Sequence, residues 1–391
     1  MEKLLDGVTV ELKPLQKVGK IIRGSAITEK ETKPGKYPVV GNGPSHNYFH
    51  NQSNRNGETI VIARSGAYAG LVSYWDVPIF LTDAFSIHPD LDILKTKFLF
   101  YLLKNDQTMI HNMTKGAGVP HVRATDFESY QIPIPCPDNP QKSLQIQAEI
   151  VRILDTFTEL AAELTAELTA RKKQYSYYRD KLLTFEEGEV EWKTLGEVGE
   201  FTYGFIAKAQ DSGDARFVRI TDINTNGKLV QTDPKFVDIT DESKKYILEK
   251  NDLLMARTGA TFGKTMIFEE NYPAIFAGFL IKLDLDRKTI NPKYYWHFAQ
   301  SEFFWHQANK LVSGGGQPQF NANVLRDVKF PIPFPDDPQK SLAEQARIVD
   351  ILDKFDALTS SITEGLPREI ELRRKQYEYY RNLLLTFPKK N

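Results

Sequence analysis

The stretch IPIPCPDNPQKSLQIQAEIVRILDTFTEL at residues 132–160 returns 198 positions later as FPIPFPDDPQKSLAEQARIVDILDKFDAL at 330–358. A second block, RKKQYSYYRDKLLTF at 171–185, returns as RRKQYEYYRNLLLTF at 373–387, now 202 positions on, so the second copy carries four extra residues between the blocks. Ahead of these blocks the kinship is weaker. VELKPLQKVG (10–19) matches VEWKTLGEVG (190–199), ARSGAYAG (63–70) matches ARTGATFG (256–263), and GAGVPHVRA (116–124) matches GGGQPQFNA (314–322). A chain written twice must fold as two related units, and a repeat of this kind constrains architecture more than any single motif does. The order is variable, near-constant, variable, near-constant. Near-identical copies point to a shared partner or to mutual packing, whereas copies that share only a skeleton point to two different ligands on one fold; neutral drift of loops around a retained core is the plainer alternative. The start, KLLDGVTVE, resembles KLLTFEEGEVE at 181–191, and the last block closes on NLLLTF. The two ends are therefore expected together, in a molecule closed on itself with approximate twofold symmetry.

In the first near-constant block, Ile146, Ile150, Ile153, Phe157, Leu160 and Leu164 fall at three-four spacing, the mark of a helix with one apolar seam. The seam resumes at Leu168, Tyr175, Tyr178, Leu182 and Phe185 after a four-residue stutter in AAELTAELTA, which unwinds a supercoil locally without breaking the helix. A helix over residues 143–184 would be about 60 Å long at 1.5 Å per residue. The second block repeats the seam, but Gly365, Leu366 and Pro367 predict a kink or split. Two such helices bury their seams by packing antiparallel, with the tyrosines in the packing; partner contact is the alternative use of those rings. The variable regions hold short β-branched and aromatic runs between turn residues, with one helical stretch each near 95–105 and 292–308. The Pro-rich runs before each helix are expected as stiff extended joints. The fold class is thus α+β: two pseudo-twofold-related, mostly β domains joined by two long antiparallel helices in a circular arrangement.

Little here promises catalysis. GATFGKT at 259–265 imitates a phosphate-binding loop, but only three residues separate Gly259 from Gly263 where four are needed, and the residues after Thr265 read as strand rather than helix. One cysteine, Cys136, excludes an internal disulfide framework and fits a reducing cytoplasm; its plain role is a small buried hydrophobe. His46 and His50 lie four apart in a loop-like stretch with no counterpart in the second copy, which favours hydrogen bonding over metal. No apolar run reaches the ~18 residues of a membrane span. A net charge of −1 places any contact with nucleic acid in local patches. Candidates are Lys17, Lys20 and Arg23 near the N-terminus; Arg64 and Ser65, with Arg257 and Thr258, in the repeated A-R-[ST]-G element; Lys264 beside it; and Lys115, His121 and Arg123 against Gln317, Gln319 and Asn321 in the Gly-rich element. Arg suits guanine and Gln or Asn suits adenine in the major groove, so one loop could read different bases in each half.

These motifs together, duplicated across essentially the whole chain, resemble the DNA-specificity subunits of type I restriction-modification systems. The resemblance rests on ARSGAYAG and ARTGATFG, on GAGVPH and GGGQPQ, and on the IPIP-to-helix junctions with Gln147 and Gln345. It implies a non-catalytic cytoplasmic subunit binding double-stranded DNA at two half-sites, with target-recognition domains at 1–140 and 187–338. The helical regions at 141–186 and 339–391 would set the spacer and dock two modification (methyltransferase) subunits, which restriction subunits join. Gln147, Tyr175, Tyr178, Gln345, Tyr377 and Tyr380 are the candidate subunit contacts. S-adenosylmethionine, ATP and Mg would belong to the partners, with no cofactor on this chain. The insertion before each helix departs from the pattern, and so does the Gly365/Pro367 break, which leaves the equal rigidity of the two helices open. A stand-alone DNA-binding regulator would share the domains but not need the long helices, and an ATP-hydrolysing enzyme rests on GATFGKT alone.

Overall fold

A computed structural model describes the chain apart from residues 1–3, 6, 47, 117, 187, 314–317, 362 and 388–391. It divides into two units, one formed by Met1–Glu163 with Ile370–Asn391, the other by Leu164–Glu369. The first unit is therefore assembled from both ends of the sequence.

The two units repeat one topology. In the first, a four-stranded antiparallel sheet runs in the order Gly19–Arg23, Ala84–Pro89, Thr59–Ala63, Val72–Trp75. In the second the order is Gly199–Tyr203, Leu280–Leu285, Leu253–Ala256, Thr265–Ile267. Thr59–Ala63 (TIVIA) and Leu253–Ala256 (LLMA) are buried at every position. Continuous apolar runs of this kind fit inner strands covered on both faces. A three-stranded sheet accompanies each: Tyr48–His50, Tyr37–Val40, Phe80–Leu81 in one unit, and Phe236–Val237, Ala215–Val218, Ala274–Phe276 in the other. Where one helical stretch per variable region was expected, there are two: Thr96–Asn105 with Gln107–Asn112, and Pro292–Phe298 with Glu302–Leu311.

The Pro-rich runs are more than joints. Gln131–Pro135 pairs antiparallel with Val10–Pro14, and Lys329–Pro333 with Val190–Thr194, in the same register. Prolines two residues apart turn their missing donors to the same side, and a two-stranded ladder leaves each strand one side that needs none. Cys136 and Phe334 then take the left-handed conformation at φ 47° and 48° and turn the chain toward the helix. Cys136 is buried, in keeping with a small core residue.

The helix Pro140–Leu182 is continuous for 43 residues, through the AAELTAELTA stutter. The second copy is split, as its Gly-Leu-Pro predicts, into Pro338–Ser360 and Gly365–Leu385. Gly365 has φ +75°, and a β-carbon there would lie 2.5 Å from the carbonyl oxygen of Ala357, so only glycine fits the corner. Within the first unit, Phe157 stacks on Tyr380 at 5.4 Å and meets Tyr377 at 6.5 Å. Within the second, Phe355 stacks on Tyr175 at 6.1 Å and on Tyr178 at 5.6 Å. The four seam tyrosines thus meet the equivalent phenylalanine in each copy.

Each variable domain is latched to its helix by a buried glutamine. Gln147 accepts from the Lys95 amide (2.8 Å) and donates to the Ile93 carbonyl (2.9 Å) and to Ser143 Oγ (3.1 Å). Gln345 repeats this with Asn291 (2.8 Å), Thr289 (2.9 Å) and Ser341 (3.1 Å). Both side chains are fully buried, so neither can touch a partner subunit. Their place is internal: they fix the domain's helix on the long one. About two turns further on, Asp155 takes Lys97 (2.8 Å) and Tyr101 (2.6 Å), while Asp353 takes Lys293 (2.7 Å) and His297 (2.9 Å). Tyr175 Oη lies 2.9 Å from the other His297 ring nitrogen and is itself buried, which removes it too from the candidate subunit contacts. Tyr178, exposed, and Tyr377 and Tyr380, half-buried, keep some surface.

Candidate nucleic-acid interface

The two repeated motifs, some 50 residues apart in sequence, are joined in each unit by backbone hydrogen bonds. ARSGAYAG links the paired strands Thr59–Ala63 and Val72–Trp75; ARTGATFG links Leu253–Ala256 and Thr265–Ile267. Gly66 and Gly70 (φ +83° and +82°), like Gly259 and Gly263 (φ +68° and +76°), supply the left-handed positions of this tight connection. GATFGKT is accordingly a turn between strands. The Gly66 amide donates to the Pro120 carbonyl at 3.0 Å and Gly259 to Pro318 at 3.1 Å; Val122 donates to Arg64 at 2.9 Å and Phe320 to Arg257 at 2.8 Å. Lys115 and His121 exchange a pair of bonds at 2.9 Å, as Ser313 and Gln319 do at 3.2 and 2.7 Å. One rigid platform thus recurs in both units.

What stands on it differs. In the first unit Arg23, Arg64, His121 and Arg123 line a cleft of about 350 Å³ together with Asp83. Arg64 pairs with Asp83 at 3.0 Å, and Ser65 Oγ donates to the same carboxylate at 3.2 Å. Asn42 holds the turn from behind, its Oδ1 accepting the amides of Arg64 (2.8 Å) and Ser65 (3.0 Å). Three guanidinium groups face one carboxylate, so the cleft favours anions. The Arg64–Asp83 pair is exposed, where an ion pair contributes little and gives way readily to a competing phosphate or base edge. Lys115 stands beside it, 3.5 Å from Asp126. Lys17 and Lys20 do not line this cleft: Lys17 is exposed on the short helix Leu15–Val18, and Lys20, an odd number of residues from Arg23 on one strand, projects from the opposite face.

In the second unit Arg257 lies between aromatic rings, 5.1 Å from the Tyr203 centroid and 5.5 Å from that of Phe279, with Nε donating to the Gly278 carbonyl at 3.1 Å. This cation–π setting holds the planar fork in one orientation. Beside it a cleft of about 480 Å³ is lined by Phe205, Ile206, Phe217, Arg219 and Phe279. Ile206 is 90% and Phe279 57% exposed, unusual for large apolar side chains. Thr258 is buried, and its carbonyl belongs to the turn rather than to a ligand. Asn321 Oδ1 caps a helix, accepting from Asn323 (3.0 Å) and Val324 (3.2 Å), so that acceptor is committed. Gln319 is half-buried on the platform, Gln317 lies outside the described residues, and Lys264 lines a different cleft.

Sequence reasoning overlooked the groups that orient the two arginines: Asn42 and Asp83 in one unit, Tyr203 and Phe279 in the other. A signal existed. The match ending at Gly19/Gly199 continues to Gly24/Gly204, where a β-carbon would strike carbonyl oxygens at 2.5 and 2.3 Å, and this pairs Arg23 with Tyr203. Among the described residues no three His, Cys, Asp or Glu are grouped to hold a metal. His50 is buried and accepts from the Lys33 amide at 3.1 Å. No helix among them is long and apolar enough to cross a membrane.

Both copies match the family described as the type I restriction modification DNA specificity domain, over residues 7–171 and 187–372. The chain belongs to this specificity family. It is 37% identical to the type I restriction enzyme EcoR124I/EcoR124II specificity subunit of Escherichia coli, an alignment covering 100% of this chain and 97% of that protein. The EcoprrI specificity subunit, also of Escherichia coli, is 31% identical over 93% of this chain and 92% of its own. The crystal structure of the specificity subunit from M. genitalium shares the fold, with a TM-score of 0.64 at 18% identity over 99% and 98% of the two chains. The chain is thus a specificity subunit with target-recognition domains and is not itself an enzyme; in these systems catalysis lies on other subunits.

Proposed function

We propose that this specificity subunit binds a bipartite, asymmetric DNA target, one half-site per unit. The observation that carries the proposal is the contrast between the units: a single platform presents an arginine cluster in one and an aromatic-clamped Arg257 beside an apolar cleft in the other. Guanidinium groups read guanine edges bidentately, and apolar side chains read the thymine methyl, so the two half-sites differ in base composition. The helices set the spacer and, through surface they retain at Tyr178, Tyr377 and Tyr380, dock two methyltransferase subunits, with restriction subunits joining that core. S-adenosylmethionine, ATP and Mg act on those partners. The test is methylation mapping of DNA exposed to the reconstituted complex after residues 200–325 are exchanged for those of another family member. One half-site should change and the other persist. Changes in both, or a target independent of this chain, would overturn the proposal.

A further inference from the structure

The second unit holds a cationic cleft that the recognition platform does not use. It measures about 230 Å³ and is lined by Lys172 and Arg179 of the long helix, Asn226 of a tight loop, and Lys264 with Thr265 from the end of ARTGATFGKT. Arg179 is only 9% exposed, and its Nε has no hydrogen-bond partner, with Asp180 Oδ1 standing 3.5 Å from it, beyond ordinary hydrogen-bond length. A buried guanidinium donor left open costs free energy unless something fills its place. Lys172 and Lys264 form no ion pair among the described residues. Lys228, by contrast, is turned away onto Glu269 at 2.6 Å and Asp356 at 3.5 Å. The loop is fixed by Asn224 Oδ1, which accepts from Asn226 (2.8 Å) and Lys228 (3.0 Å), and by Gly227 at φ +67°, where a β-carbon would lie 2.5 Å from the Thr265 carbonyl oxygen. The cleft is not an inherited feature of the repeat, because Leu71 and Val72 stand where Lys264 and Thr265 do.

We propose that this cleft binds a phosphate group. Two lysines beside one open guanidinium donor suit a tetrahedral oxyanion, and the volume admits one with a few waters at ~30 Å³ each. The phosphate comes either from the DNA backbone or from a soluble phosphate compound; only the first source rests on the proposed function. Lys264→Leu copies the sibling unit and so keeps a side chain the fold already accepts, and Lys172→Gln alters an exposed residue. Two measurements separate the sources. In the first, amide exchange of the full chain is followed with inorganic phosphate against chloride at equal ionic strength; severalfold protection of residues 172–179 and 224–228, lost in the double variant, establishes a soluble-phosphate site. In the second, duplex affinity of the complex with its methyltransferase subunits is measured against salt. A Lys264→Leu slope shallower by about one unit, with equal loss on specific and non-specific duplexes, establishes a backbone contact. If phosphate protects nothing and the slope is unchanged, the proposal is wrong. Failure of the complex to bind any duplex would count against the DNA reading, while the phosphate measurement would still decide the cleft.

Discussion

Replacing Gln345 with alanine removes three hydrogen bonds and leaves the Asn291 amide and the Thr289 carbonyl without their partners. Each orphaned buried group costs about 1–3 kcal/mol, and both residues are half-buried, so the low end applies: about 2 kcal/mol for the pair. At 1.36 kcal/mol per decade this is roughly a 30-fold rise in local opening. The assay is amide hydrogen exchange followed by mass spectrometry. Peptides spanning residues 288–298 should exchange about 30 times faster in Gln345→Ala, while those at 92–102 stay as in the wild type. Gln147→Ala should give the reverse pattern, since it holds Lys95 and Ile93 in the same way. Should exchange at 288–298 stay within about threefold of wild type while the methyltransferase subunit dissociates, the glutamine would be a docking residue and the latch reasoning would be refuted.

His297 gives its helix a pH dependence that the equivalent helix of the first unit, with Tyr101 in that place, lacks. Burial is the largest influence on it and holds its pKa below the ordinary histidine value of 6.5, against the upward pull of Asp353. A depressed folded-state pKa means that the contribution is complete above ~6.5 and is lost as pH falls below it, because the unfolded chain takes the proton first. Amide exchange of the Pro292–Phe298 helix should therefore quicken as pH drops from 7 to 5.5, after correction for intrinsic rates, and His297→Gln should abolish that trend; the helix Thr96–Asn105, with Tyr101 at the equivalent place, should show none. Inserting four further residues at AAELTAELTA should add about 6 Å of helix. Against 3.4 Å per base pair this lengthens the spacer by one or two base pairs. Methylation mapping should then find the half-site bases unchanged, and altered bases would contradict the ruler.

The repeat made the architecture legible, because the seam from Ile146 to Phe157 and the Gly365–Pro367 break are local patterns that backbone geometry must obey. The strands of the inner sheet were legible for the same reason: runs such as TIVIA can be buried only on both faces. The ladders at Gln131–Pro135 and Lys329–Pro333 were not, since proline argues against a strand until a partner is known to occupy only its other edge. Side-chain roles were harder still. Gln147 and Gln345 were noticed as a repeated signature, but whether a repeated polar residue faces inward or outward depends on backbone donors some 50 residues away. Thr258 and Asn321 look like ligand contacts in a motif, and they are consumed by the turn and the helix cap that the motif builds. The platform was found by sequence; Asp83 and Phe279, which make its two versions chemically unlike, lie where the copies have diverged beyond alignment by eye.

The division into units also sets an order of events during synthesis. Leu164–Glu369 is one uninterrupted stretch and can complete its core as soon as it leaves the ribosome. The first unit cannot, for Leu384 and Leu385 are buried in its core and emerge only after the entire second unit. At about 5–20 residues per second, the half made first waits about 10–40 s for its closing helix, with Phe157 lacking meanwhile the Tyr377 and Tyr380 rings it packs against. The half translated second is the half that folds first.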